Sequence, residues 1–356
     1  MAFFEELDDP RADNSSYRLS DILVMMVAAS LCGATSASEF ALFAETRKPV
    51  LQRLIRYDHA PSHDTFSRIL RLLDPKAFAQ AFATFAGAFA KALAKTRKRP
   101  SATVVAIDGK ALRRAYERGC QASPPLTVSA FAIKARLCLA AVPGAGSNEV
   151  EAAIKVVELL DLTRTIVTAD ALHCHHRMAE AIILRGGGYV LALKGNRHEW
   201  QAAAEACFAS PAKRQSAETT GISHGRNEWR CAEVMAAKPL MKGHAAFIRI
   251  TSRRDQAEPL VRLYMASKTF TAKTALAITR AHWQIENGLH WMLDVHLSED
   301  LSRARKDHAP ANIALLKRLA RNILQTTDKP KVPISHRIKK CAWDDTYLAH
   351  AITQMR

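Results

Sequence analysis

Thr103-Val104-Val105-Ala106-Ile107-Asp108-Gly109-Lys110 is where the chain changes texture. A short β-branched run with no helical period reads as a buried strand. It delivers a carboxylate to its carboxyl end, the edge at which open α/β sheets bind their ligands. The arrangement recurs at Thr165-Ile166-Val167-Thr168-Ala169-Asp170-Ala171. One strand-terminal aspartate is commonly a turn or cap residue. Two in the same domain are a stronger signal, because neighbouring strands would bring both to one edge.

Working outward, Leu126 to Phe131 and Leu137 to Val142 are two further strand candidates. The period turns helical from Glu149 to Leu160 and again from His176 to Arg185, and Gly188 to Leu193 supplies a fifth strand. The order β-β-β-α-β-α-β predicts a mixed sheet with helices packed on it. Residues from about 212 to 268 revert to strand-like pieces, among them Phe247 to Thr251 and Leu260 to Met265, and read as a β-rich insertion. A helical pattern resumes at Thr274 and runs to about Leu293. Upstream, residues 19–95 read as all helical. The charge run Lys95 to Arg99, closed by Pro100, marks a domain boundary. The expected organisation is therefore a helical N-terminal domain over 1–97, an α/β domain over 101–325 carrying the insertion, and a polar tail over 326–356.

In the helical part, Ser62 is a candidate N-cap for a helix carrying Arg68 and Arg71, preceded by a basic stretch from Arg47 to Arg56. That pair fits a helix-turn-helix reader of DNA, and equally a packing bundle with a solvated basic face. Near the C-terminus Ile313, Leu316, Leu319 and Ile323 form one apolar stripe beside Lys317, Arg318 and Arg321.

Global composition narrows the function. The net charge is +17, from 51 Lys and Arg against 34 Asp and Glu. Such an excess suits a phosphate-coated partner, whose condensed counterions are released on binding; a merely basic soluble protein would share it. The seven cysteines are scattered without a C-x-x-C pair, which argues against a disulfide framework or a zinc ribbon and for a reducing cytosol. The acidic start, Met1 to Arg18, is unlike a signal peptide. The longest apolar run, Ile22 to Cys32, falls far short of the roughly twenty residues a bilayer span needs.

A third acid is expected on the late helix. His282, Glu286 and His290 are four apart and share a helical face, with Glu286 at its centre. Three carboxylates with no cysteine cluster suit a hard cation, Mg²⁺ or Mn²⁺. Two such ions about 4 Å apart support in-line displacement at phosphorus. Asp294, Glu299 and Asp300 are fallback third acids. Trp283 and Trp291 have the chemistry to stack on unpaired bases, although helix-face tryptophans are more often core. His173-Cys174-His175-His176 lacks the spacing of a zinc site. The segment His224 to Arg230, with Arg226, is a candidate DNA contact or a solvated hairpin.

Ala60-Pro61-Ser62-His63-Asp64-Thr65-Phe66-Ser67-Arg68, Ala106-Ile107-Asp108-Gly109-Lys110, Thr168-Ala169-Asp170-Ala171, Leu193-Lys194-Gly195-Asn196, His282-Trp283-Gln284-Ile285-Glu286-Asn287 and Leu289-His290-Trp291-Met292-Leu293-Asp294-Val295 form a set. Over roughly residues 10–325 the sequence resembles bacterial insertion-sequence DDE transposases of the H-repeat-associated group. The resemblance implies a ribonuclease H-like core, a β-strand insertion before the last acid, and a metal-binding catalytic triad at Asp108, Asp170 and Glu286. It implies double-stranded DNA, as element ends and target, as the partner, and a homodimer in the DNA complex. The wider superfamily carries Tyr, Arg, Glu and Lys around the last acid; here the matching positions are Thr279, His282, Glu286 and Leu293. Arg280, Lys194 and Lys110, with Arg68, Arg226, His282 and His290, are the candidates left for holding DNA. The expected activity is metal-dependent cleavage at element ends and strand transfer, in the cytoplasm at the nucleoid. The alternatives are a nuclease without strand transfer and a catalytically inactive DNA-binding protein.

Overall fold

The computed structural model describes residues 2–11, 15–96, 103–115, 124–144, 148–223, 225–329 and 331–354. The expected boundary at residues 97–101 lies outside them, as does His224. Six helices precede the first strand: α1 (Ala2–Glu5), α2 (Leu19–Leu31), α3 (Ala37–Thr46), α4 (Lys48–Leu51), α5 (His63–Leu72) and α6 (Pro75–Thr96). The apolar run of α2 is buried along nearly its whole length, as a helix at the centre of a bundle must be. Ser62 caps α5, its hydroxyl accepting from the Thr65 amide at 3.4 Å. The basic stretch before it forms only the four-residue α4 and a turn.

The strands are β1 (Thr103–Ala111), β2 (Leu126–Ala132), β3 (Leu137–Gly144), β4 (Thr165–Ala169), β5 (Gly188–Leu193), β6 (Gln215–Ser223), β7 (Arg226–Ala236), β8 (Ala246–Arg254) and β9 (Leu260–Ala266). They make one mixed sheet in the order β3-β2-β1-β4-β5-β9-β8-β7-β6. Only the β1/β4 and β4/β5 pairs are parallel. The β-rich insertion is thus not a separate layer. Its last strand returns antiparallel to β5 and extends the same sheet outward.

The helices α7 (Glu149–Glu158), α8 (His176–Leu184) and α9 (His198–Ala209) follow β3, β4 and β5. On the opposite face α10 (Ala272–His282) buries Ala272, Ala275, Leu276 and Ile278 against Ile166, Val190, Val234 and Ile248. The insertion therefore provides the surface across which α10 travels back toward β1. There the chain makes a π-helical turn, Glu286–His290, and continues as α11 (Trp291–Leu297). The single helix expected from Thr274 to Leu293 is interrupted at Trp283 and widened. π-turns of this kind cluster at functional sites.

α12 (Ala309–Thr326) is buried almost all round, against α2, α5, α6, α11 and β3. The last residues, which composition left as a polar tail, form α13 (Ile334–Trp343) and α14 (Asp345–Thr353), with Leu348, Ala351 and Ile352 fully buried and both helices packed on α2. Spacing of i, i+3 and i+4 along α14 places these three apolar positions on one stripe, too short a signal to stand out among polar neighbours.

Candidate active site

The parallel register of β1 and β4 pairs Ala106 with Thr168. Two residues further along each chain come Asp108 and Asp170, near enough for the charge of Asp170 to act on Asp108. The strand did not stop at Asp108, as its sequence suggested, but runs on to Ala111, with Asp108 opposite Ser129 of β2. Asp170 does end its strand: its Oδ1 accepts from the Leu172 amide at 3.0 Å and caps the 3₁₀ turn Ala171–His173. Its carboxylate is half exposed, whereas that of Asp108 is 22% exposed.

The third expected acid arrives from the π-turn. His290 directs Nδ1 to 3.5 Å from Asp108 Oδ2, and His282 places Nδ1 3.2 Å from the Thr168 hydroxyl. Between them in the chain, Glu286 is exposed. The turn is fixed from behind. Gly288 lies on the ring of Phe131, where a Cβ would come within 3.1 Å, and its carbonyl accepts from Arg321 Nη2 at 2.8 Å. Arg321 is itself fully buried and stacks over Phe131.

Electrostatics tie these acids together. Asp108 is pushed up to about 7, first by burial, then by the negative charges of Asp170 and Glu149 and, more weakly, Glu286; the Gly109 amide opposes them. Burial, with Arg318, Lys110 and His282 nearby, pushes His290 down to about 3, so the imidazole facing Asp108 is neutral. His282 is lowered for the same first reason, partly offset by Asp170. The donor set is oxygen-rich and short of positive charge, which fits a hard divalent cation. Among the described residues, no three His, Cys, Asp or Glu side chains already close around a single point.

Several residues expected from the sequence lie elsewhere. Lys110 is not a free phosphate contact: it is 8% exposed, with Nζ 2.7 Å from Asp294, 2.8 Å from Asp300 and 3.9 Å from Glu299. The fallback acids are consumed in that same cluster, and Glu299 is further paired with Arg318 at 2.5 Å. Lys194, Arg226, Arg280 and Arg68 are exposed. Trp283 and Trp291 are not core but 46% and 53% exposed, with Arg262 over the Trp283 ring. Asn196 and Arg197 hold the loop after Asp170, donating to the Ala171 carbonyl at 2.9 Å and the Cys174 carbonyl at 3.1 Å. Sequence reasoning missed Glu149, which looks like any first-turn glutamate.

Residues 99–323 match the family model described as transposase DDE domain, and residues 1–86 match its associated domain. The chain belongs to the DDE transposase family. The transposase is 31% identical over 355 residues to YncI of Escherichia coli O157:H7, covering 94% of this chain and 89% of that protein. It is 28% identical over 356 residues to YhhI of Escherichia coli K12, covering 94% and 92%, a relative named as H repeat-associated. This is the group that the motifs resembled. The structure also resembles a piggyBac transposase synaptic complex with hairpin DNA, at TM-score 0.42 and 12% identity over 98% of this chain and 76% of that one, too loosely to bear on the fold. Enzymes of the DDE type use divalent metal ions.

Proposed function

We propose that this enzyme cleaves DNA at the ends of an insertion sequence and transfers the freed ends into target DNA, with Asp108, Asp170 and Glu286 as its catalytic and metal-binding carboxylates on a ribonuclease H-like core. The observation that supports the reading is the convergence of three elements: β1 carries Asp108 beside β4, which ends just before Asp170, and the π-turn that carries Glu286 brings His290 Nδ1 to 3.5 Å from Asp108 Oδ2. The ions, two Mg²⁺ or Mn²⁺, would lower the barrier to attack at phosphorus by neutralising the developing charge. Asp108, Asp170 and Glu286 would hold them. Neutral His290 stands against Asp108 and His282 against Thr168, two residues before Asp170, so each orients a strand end without adding charge. Attack by water on the phosphodiester frees a 3′-hydroxyl, which then attacks the target strand. Double-stranded DNA would lie over exposed Lys194, Arg226 and Arg280, with Arg68 reaching it from α5, and two copies would pair the two ends at the nucleoid.

The test is cleavage and strand transfer on DNA bearing the element's flanking ends, with Mg²⁺ or Mn²⁺, for wild type and Glu286→Ala. Loss of both activities in the variant supports the third acid. Cleavage without joining in the wild type would make it a nuclease, and binding without cleavage would make it a DNA-binding protein.

A further inference from the structure

Glu149 opens α7, and a glutamate in a helix's first turn is ordinarily there for the helix dipole. Its neighbour Glu151 behaves that way, half-buried and paired with Arg177 at 2.5 Å, while Asn148 caps the helix by accepting from the Glu151 amide at 3.1 Å. Glu149 turns inward instead. Its Oε1 lies 2.6 Å, and its Cδ 2.7 Å, from where a Cβ on residue 109 would sit. Only a glycine beside Asp108 lets that carboxylate approach so closely. A carboxylate so placed adds its negative charge to that of Asp170 around Asp108.

A second observation points the same way. His173 is fully buried, and neither of its ring nitrogens makes a hydrogen bond. Its Nε2 faces the acids, 3.4 Å from Glu149 Oε1 and 3.9 Å from Asp170 Oδ1. Among the described residues, His173 is the one cation-forming side chain paired with Glu149. A buried imidazole without a hydrogen bond is costly to keep, and here it borders two carboxylates that, among the described residues, have no Lys or Arg partner. Asn196 and Arg197 hold the turn that presents it.

We propose that Glu149 is a fourth carboxylate of the metal centre, binding divalent cation together with Asp108 and Asp170, with His173 as the positioning residue behind it. The inference rests on the reading of Asp108 and Asp170 as metal ligands. Glycine at 109 is then a requirement of the centre: the approach that a Cβ would block is the approach that brings the fourth oxygen ligand in.

The experiment is calorimetric titration of Mn²⁺ into the DNA-free full-length chain, for wild type, Glu149→Gln, Gly109→Ala and Asp108→Asn, with thermal melts in EDTA and in saturating Mn²⁺. Glu149→Gln is expected to weaken Mn²⁺ by about tenfold or more and to gain less on Mn²⁺ saturation, while melting in EDTA at or above the wild-type temperature. A merely structural glutamate would do the reverse, lowering the melt in EDTA and leaving affinity alone. Gly109→Ala keeps every acid and displaces only the Glu149 side chain, so it should also weaken Mn²⁺, and it carries the test if Glu149→Gln fails to fold. Wild-type Mn²⁺ affinity in both variants, with affinity lost in Asp108→Asn, would overturn the role of Glu149 alone. Unchanged affinity in Asp108→Asn would overturn the ligand reading on which the inference rests.

Discussion

Asp108→Asn, in protein stripped with EDTA, should make the transposase more stable while removing its activity. The carboxyl of Asp108 has an ordinary value of 3.8 and is pushed up to about 7, by burial first and then by Asp170, Glu149 and Glu286. A group raised on folding favours the native state below its unfolded value and loses that contribution as pH climbs through its folded value. At pH 8, where the native carboxyl is ionised, the raised value therefore costs up to about 4 kcal/mol, and at pH 5, where it is protonated only in the native state, up to about 2 kcal/mol. Screening through its partial exposure reduces both, so a gain of about 1–3 kcal/mol at pH 8 is the working expectation, shrinking by roughly half at pH 5. Urea unfolding at the two pH values, with and without Mn²⁺, measures it. An asparagine variant no more stable than wild type at pH 8 in EDTA, or one whose advantage grows as the pH falls, would refute the electrostatic picture of the site.

The same proton makes metal affinity pH-dependent: below about 7, apparent Mn²⁺ affinity should fall by up to about tenfold per pH unit, with proton release seen by calorimetry in buffers of different ionisation enthalpy. Gly288→Ala places a methyl 3.1 Å from two ring carbons of Phe131, which should cost about 1–3 kcal/mol in thermal melts and shift the π-turn enough to depress strand transfer more than DNA binding. Lys110→Met strips the ammonium from Asp294 and Asp300; about 2–4 kcal/mol of stability should be lost at pH 8 and less at pH 5, where an orphaned Asp294, already raised by burial, takes up a proton more readily. Equal losses at both pH values would mean that Lys110 acts through packing.

The inner sheet was legible because its strands are short apolar runs bounded by turns, and β5 was found at both ends. That Asp108 and Asp170 would come to one edge of the sheet was legible for the same reason, since two neighbouring strands each carry an acid there. What the sequence could not carry was the third dimension of charge. Lys317, Arg318 and Arg321 sit beside an apolar stripe and read as the wet flank of an amphipathic helix, yet all three are buried. Lys110 follows the first acid in the manner of a phosphate ligand and is instead locked among Asp294, Glu299 and Asp300. The π-turn has no periodicity signal over five residues, and Glu149 faces inward only because Gly109, forty residues earlier, makes room.

Those buried cations change what the net charge means. At least five of the 51 Lys and Arg, namely Lys110, Lys317, Arg318, Arg321 and Arg337, are sealed inside the fold and cannot release counterions from DNA. Two of them brace the acidic site from within. Arg321 holds the Gly288 carbonyl of the π-turn, and Arg318 joins Glu299 to Ser129, the residue opposite Asp108. The same helix, α12, donates from Asn312 to the Leu70 and Leu73 carbonyls of the N-terminal layer at 2.9 and 2.8 Å. One internal strut therefore positions Glu286 and anchors α5 together. Substituting its cations should unfold the protein before it weakens DNA binding, because each leaves buried carbonyls or carboxylates without a donor. A loss of DNA affinity at unchanged stability is the outcome expected instead for exposed Lys194, Arg226 and Arg280, the proposed DNA contacts, and that difference in readout separates proposed contacts from cations that hold the fold.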